Sequence, residues 1–229
     1  MAILFSSSNY ISTSPTWAAF IPVSISLWFK INTFNSSANR LVGCDDNWEV
    51  RCTNDWGGQW KFSNEIYGST VTQPPCQTTT IIQAGVWYHG VGTATDTVGN
   101  VTAKIYLNGV LENTLVQKDT APGTIFSIGN RDSSPSGQST NGLIDDVRVY
   151  NRVLSDAEVA TIYACRGSDS IYYGCLNRWL LNEGPLGVTI TGSNVIRDMV
   201  GTQHGSPVGS PAPVWNETFL KNRPKYNRS

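Results

Sequence analysis

Apolar residues between Ala2 and Tyr150 recur mostly at every second position, in short runs punctuated by Gly, Pro, Asn, Asp and Ser. A two-residue period puts alternate side chains on opposite faces, so each run predicts a strand with one face turned to a core. Val23, Ile25, Leu27, Phe29 and Ile31 alternate with Ser24, Ser26, Trp28 and Lys30, which commits the first set to the interior. The same reading predicts strands over 2–5, 10–13, 23–31, 40–44, 48–53, 59–62, 80–83, 86–93, 102–107, 110–116, 125–128 and 143–150. Asn108-Gly109 is the strongest hairpin signal, because both residues tolerate positive φ.

The pattern changes once. In Asn141–Gly167, Leu143, Asp145, Val147 and Val149 share one parity and Asp146, Arg148 and Tyr150 the other, which aims Asp145 inward. Ser155 then starts a helix near 155–165. Ser155 and Glu158 have capping-box spacing, Leu154 and Val159 that of a hydrophobic staple. Val159, Ile162 and Tyr163 form a short apolar stripe, and Gly167 is placed to end it.

That stretch, with its G-L-I-D-D-V-R-V-Y followed by N-R-V-L-S-D-A-E, resembles the closing motif of the laminin-G-like, concanavalin A-like jelly-roll family. V-W-Y-H at 86–89, the Y-L-N-G turn at 106–109 and S-I-S-L-W-F-K-I at 24–31 resemble other motifs of that family, in the family's own order. The resemblance implies an all-β fold: a jelly-roll β-sandwich of two antiparallel sheets with one short helix. It also implies a displaced segment. R-W-L-L-N-E-G at 178–184, the D-M-V-G of 198–201, His204-Gly205 and Trp215 resemble the segment that leads the family's sequences, yet here they come last. The expected organisation is one sandwich over 1–215, with a body over 1–166 and a circularly permuted leading strand within 167–215. That strand either completes its own sheet or is exchanged with a neighbouring copy. Residues 216–229 form a basic tail with Lys221, Arg223, Lys225 and Arg228 against Glu217. Phe219, Leu220, Arg223 and Tyr226 are the residues expected to dock it on another subunit.

Composition removes several classes. A net charge of −1 and no basic stripe argue against nucleic acid as a partner, and no run of 18 apolar residues is available to span a membrane. The opening Met1-Ala-Ile-Leu-Phe shows none of the regions of an export signal. Cys44, Cys52, Cys76, Cys165 and Cys175 have no metal or redox spacing and read as small hydrophobes; Cys44–Cys52 and Cys165–Cys175 are the bridges open to an oxidising compartment. Four N-x-S/T sequons, at Asn35, Asn100, Asn216 and Asn227, are what a chain rich in Asn, Ser and Thr carries by chance.

Candidate chemistry is sparse. Glycosidases of this fold need two carboxylates on one strand face, and Glu49, Glu65, Glu112 and Glu183 are singletons, so no enzyme is expected. His89 reads as a structural histidine. An inward Asp145, with Asp146 beside it, is a candidate structural Ca²⁺ site, and the turn Asp45-Asp46-Asn47 a poorer one. Trp48, Trp56 and Trp60, with Asp55 among them, supply flat rings beside polar groups, the chemistry of glycan contact. Together with the resemblance, these features imply a non-enzymatic, lectin-like virion structural protein: a phage-type capsid decoration, head-fibre or tail appendage. It would be a homo-oligomer or pair with other virion proteins, and would contact surface glycans. The alternative is a carbohydrate-binding module of a cell-surface or secreted, extracellular protein.

Overall fold

A computed structural model describes residues 1–6, 9–13, 23–44, 48–55, 57–66, 75–96, 100–118, 126–130 and 138–216. In chain order the strands are β1 (Ala2–Phe5), β2 (Tyr10–Thr13), β3 (Val23–Ile31), β4 (Ala38–Cys44), β5 (Trp48–Thr53), β6 (Lys61–Ile66), β7 (Cys76–Gln77) and β8 (Trp87–Asp96). They continue as β9 (Asn100–Leu107), β10 (Val110–Lys118), β11 (Phe126–Ile128) and β12 (Gly142–Tyr150). Helix α1 (Asp156–Cys165) precedes β13 (Cys175–Trp179), β14 (Gly205–Val208) and β15 (Val214–Asn216). The order β10-β9-β8-β3-β12-β1-β15, with β13 also on β12, makes an eight-stranded sheet, and β14-β2-β11-β4-β5-β6-β7 a seven-stranded one. All their pairings are antiparallel. This is the two-sheet sandwich that the family resemblance implies.

The inner faces meet in one core that includes Ile3, Phe5, Ile25, Leu27, Phe29, Val50, Phe62, Phe126, Val147 and Trp179. Phe29 stacks on Phe62 at 5.2 Å and Phe126 on Trp179 at 5.4 Å. Gly90 has to be glycine for this packing, since a Cβ there would stand 2.5 Å from the Phe62 ring.

The outer face of the eight-stranded sheet is also buried, because α1 lies over it. Val91, Tyr106, Tyr150, Leu154, Val159, Ile162 and Cys175 form a second cluster there. The Ser24/Ser26/Trp28 face of β3 is therefore covered rather than solvated: Trp28 is 2% exposed and Tyr163 stacks on it at 5.6 Å. The capping box is formed as the spacing predicts, with Ser155 Oγ accepting from Glu158 N–H and Glu158 accepting from Ser155 N–H. The left-handed residue that stops the helix is Arg166, one position before the expected Gly167.

Three local expectations are corrected. The strand expected at 59–62 begins at Lys61 and runs on to Ile66. No strand occupies 80–83, because the N–H groups of Thr79 and Thr80 donate to the Glu112 carboxylate instead of to a neighbouring strand. On β12, the expected parity breaks at a β-bulge between Asp145 and Arg148, where Asp146 adopts φ 45°. One extra residue resets the alternation: Ile144 and Val147 both enter the core, while Asp145 pairs with Trp28 on the outer side.

The same bulge is where β12 changes neighbours. Gly142, Leu143 and Ile144 pair with β1, and Val147 to Tyr150 with β13. The late segment then supplies β15 beside β1 and β14 beside β2. Strand β13 is short, lying between positive-φ residues at Gly174 and Leu181.

Candidate functional site

Trp48 leaves the set of candidate sugar platforms. It alternates with Val50 and Cys52, is 6% exposed, lies in the core, and donates from Nε1 to Asn64 Oδ1 at 2.7 Å. Trp60 is half-buried and stacks on Phe34 at 4.3 Å, so one ring face is occupied. Asp55 sits at the rim, accepting from Arg51 at 3.3 Å and Thr53 Oγ1 at 2.8 Å. Trp56 lies outside the described residues, as do Asp45-Asp46-Asn47 and the tail residues Phe219, Leu220, Arg223 and Tyr226.

Asp55 is the exposed end of a buried network on the outer face of the seven-stranded sheet. Arg51 bridges Glu49 at 3.1 Å and Glu65 at 2.6 Å, and Arg40 reaches Glu49 at 3.1 Å. Strand register explains the cluster. Ser139, Arg40, Arg51, Ser63 and Gln77 form one cross-strand row, and Ser206, Ser12, Ser127, Gly43, Glu49 and Glu65 another. Two arginines directly opposed would repel, and the two glutamates in the adjacent row offset that charge. Among the described residues, buried Arg40 Nη1, Ser63 Oγ and Ser139 Oγ meet no hydrogen-bond partner there, a density of such polar atoms that is unusual in a packed interior. Both rows carry only polar residues and one glycine, against an apolar opposite face. The parity of Glu49 and Arg51 against Trp48, Val50 and Cys52 carried this signal in the sequence.

Of the two candidate calcium residues, Asp146 is ion-paired with cations of the chain itself. Asp146 receives Arg148 at 2.8 Å and Arg178 at 2.8 Å, and Asp169 receives Arg148 at 2.7 Å, all under the α1 side of the sheet. Asp145 faces Trp28 and accepts the N–H of Asp146. No group of three or more His, Cys, Asp or Glu side chains is placed to hold a metal among the described residues. Burial alone would raise the Asp169 carboxyl, but the Arg148 hydrogen bonds and charge hold it below its ordinary range. His89 is fully buried, with Nε2 at 2.9 Å from Ser26 Oγ, and burial followed by the Arg148 charge pushes its pKa down to about 3. It is a packed residue on the covered face.

The late segment contributes two clefts. One, of about 220 Å³, is lined by Ser12, Asn194, Thr202, Gln203, His204 and Ser206; the other, of about 230 Å³, lies among Glu183, Pro185, Thr189, Thr191, Val195 and Trp215. Asp198 builds the first: its carboxylate accepts backbone N–H groups from Arg178, Val200, Gly201 and Gln203, tying the turn that presents Thr202 to His204. Gly201 fits there because a Cβ would stand 2.6 Å from that carboxylate. Of these lining residues, His204, Glu183 and Trp215 fall in the displaced family-like segment, but sequence reasoning gave none of them a binding role.

Residues 5–160 match the sequence model of the Concanavalin A-like lectin/glucanases superfamily. The match spans well over half of the chain, and the protein belongs to that superfamily. No curated protein matches it. Among solved structures, a proposed carbohydrate binding protein from Bacteroides ovatus superposes with a TM-score of 0.71 at 20% identity, covering 95% of this chain and 60% of its own. The heptameric SAP-like pentraxin of Limulus polyphemus gives 0.54 at 18% identity, over 69% of this chain and 77% of its own. Domain 4 of AbnA, an extracellular arabinanase from Geobacillus stearothermophilus solved with arabinotriose, gives 0.54 at 20% identity, over 71% and 76%. At these identities the likeness is one of fold.

Proposed function

We propose that the chain is a non-catalytic carbohydrate-binding domain. The observation that carries this reading is the polar outer face of the seven-stranded sheet, which is accessible at Ser12 and Ser206 on one edge and at Asp55, while Arg40, Glu49, Arg51 and Glu65 between them are buried. Hydroxyls at that accessible edge and the carboxylate of Asp55 suit a ligand that is itself a lattice of hydroxyls. Glu49 and Glu65 are each ion-paired with arginine, so neither is set up as a proton donor or nucleophile. The Bacteroides and Geobacillus relatives, a proposed carbohydrate binding protein and an arabinanase domain, support the same assignment. Residues 167–215 are read as the family's leading segment in permuted order, supported by the pairing of β13 with β12.

A virion appendage built from such domains is the second reading, with the chain as a homo-oligomer or seated among other virion proteins. It is favoured by β10, an edge strand whose Val110 and Val116 are 64% and 61% exposed, a surface that a neighbouring subunit would cover. Two measurements test these readings. The full chain on an array of neutral, acidic and amino-sugar glycans should show weak, millimolar-class binding and no turnover. Hydrolysis lost on changing one Asp or Glu would overturn the non-catalytic assignment. A monomeric native mass would remove the appendage.

A further inference from the structure

The cleft between β2 and β14 is chemically unlike the rest of the polar face. Its six lining side chains are three hydroxyls, two amides and an imidazole, with no Asp, Glu, Lys or Arg. We propose that this cup binds one neutral sugar residue at the end of a glycan chain or branch. The proposal rests on the carbohydrate-binding reading and specifies where and what the domain recognises.

Chemistry sets the ligand class. A charged group placed in the cup would find no counter-charge on the lining, so its desolvation would go uncompensated. A neutral polyol meets donors and acceptors alike. His204 Nδ1 accepts the N–H of Asp198 at 3.1 Å, which leaves Nε2 as the ring's donor.

Register sets the size. Ser206 and Ser12 are opposed on adjacent strands and form the floor. The next residue in that row, Ser127, is 1% exposed, and its hydroxyl donates to the Asn130 carbonyl, so the floor stops after two strands. Strands lie about 4.8 Å apart, and a cup of about 220 Å³ over two of them holds one ring, not a chain laid across the sheet. Geometry also fixes the walls. The Asn194 N–H donates to Ser206 Oγ at 2.9 Å, and Asp198 clamps the turn carrying the other wall, so little ordering is left to binding.

The chain has only two histidines, His89 and His204, which makes the ring nitrogens a direct probe. Uniformly ¹⁵N-labelled full-length protein is titrated with methyl β-D-galactoside, methyl β-D-glucoside, methyl α-L-arabinofuranoside and D-galacturonate. At least one neutral glycoside should shift the His204 imidazole signals while those of buried His89 stay in place, with galacturonate at least ten-fold weaker. Thr202→Ala and, separately, Gln203→Ala should each weaken that glycoside at least ten-fold with the melting temperature unchanged. Glycan binding on the array with His204 silent would overturn the cup and leave the carbohydrate-binding reading intact. Galacturonate binding as tightly as the neutral glycosides would overturn the ligand class. Silence from every glycan in both experiments would overturn both proposals.

Discussion

Arg148 and Arg178 stand directly opposite each other across β12 and β13, and the carboxylate of Asp146 lies between them, 2.8 Å from each. Two facing guanidiniums, 1% and 3% exposed, are tolerated only because Asp146 and Asp169 balance them. The bulge on β12 that spoils the alternation is also what turns Asp146 toward this pair.

Asp146→Asn keeps the shape and removes the charge. It should destabilise the domain by about 3–5 kcal/mol, the cost of leaving a buried charge without its partner. Urea unfolding of the variant beside the parent measures it, and a loss under about 1 kcal/mol would mean that the cluster is structurally idle.

Stability should fall as the solution is acidified below neutrality, and His89 sets the window. Its folded pKa of about 3 lies under the ordinary 6.5, so between those values the unfolded chain binds a proton that the folded chain refuses. Unfolding is then favoured by roughly 1.4 kcal/mol per pH unit as pH drops below about 6.5. Glu158, held down to about 2 by Arg152 and the Ser155 cap, adds a loss in the same direction below about 4.5, reduced by its exposure to solvent. Denaturant midpoints at pH 7 and 5 for the parent and His89→Gln test this; equal slopes in both proteins would contradict it.

The five thiols should separate cleanly by reactivity. Cys165 alone is exposed, whereas Cys44, Cys52, Cys76 and Cys175 are buried, and no disulfide joins any of them. Burial pushes Cys76 up to about 12 and Cys175 up to about 11, withholding the reactive thiolate. Titration with a chromogenic disulfide should count one thiol in native protein and five in denaturant. A native count of three or more would show that the late segment opens readily.

Removing residues 171–229 should yield insoluble protein. The cut strips β13 and β15 from the sheet, uncovers β12, and takes Trp179 and Trp215 out of the core. A soluble, monomeric 1–170 fragment with the parent's stability would refute the structural role of that segment. Trp179→Ala in the full chain, expected to cost about 3–5 kcal/mol, separates loss of the ring from loss of the strand.

Periodicity was enough for most of the strands and for the helix, because a half-buried strand has to alternate and a capping box has to be local, while the sandwich itself came from the family resemblance. It failed wherever a side chain or a bulge replaced a ladder bond. Glu112 drew Thr79 and Thr80 out of a strand, and the extra residue at Asp146 carried Asp145 to the outer face. Alternation also cannot tell solvent from a second layer, so Trp28 and Arg148 read as surface until α1 and residues 166–173 were seen to cover them. Of the residues chosen for glycan contact, Asp55 reached the polar face and Trp48 was spent on the core. The cup was illegible for a different reason: Ser12 and Ser206 are brought together by register alone, across almost the whole sequence.

The way β1 is held has a consequence for how the protein is made. Its residue Ile3 pairs with Ile144 on one side and with Trp215 on the other, so the strand is secured by one that is translated long after it. Contacts this distant in sequence make closure slow. Until β15 arrives, Ile3 and Phe5 sit on an open edge that invites association with other nascent chains. A demand for protection during synthesis therefore falls on β1, and it lasts until Trp215 has been translated.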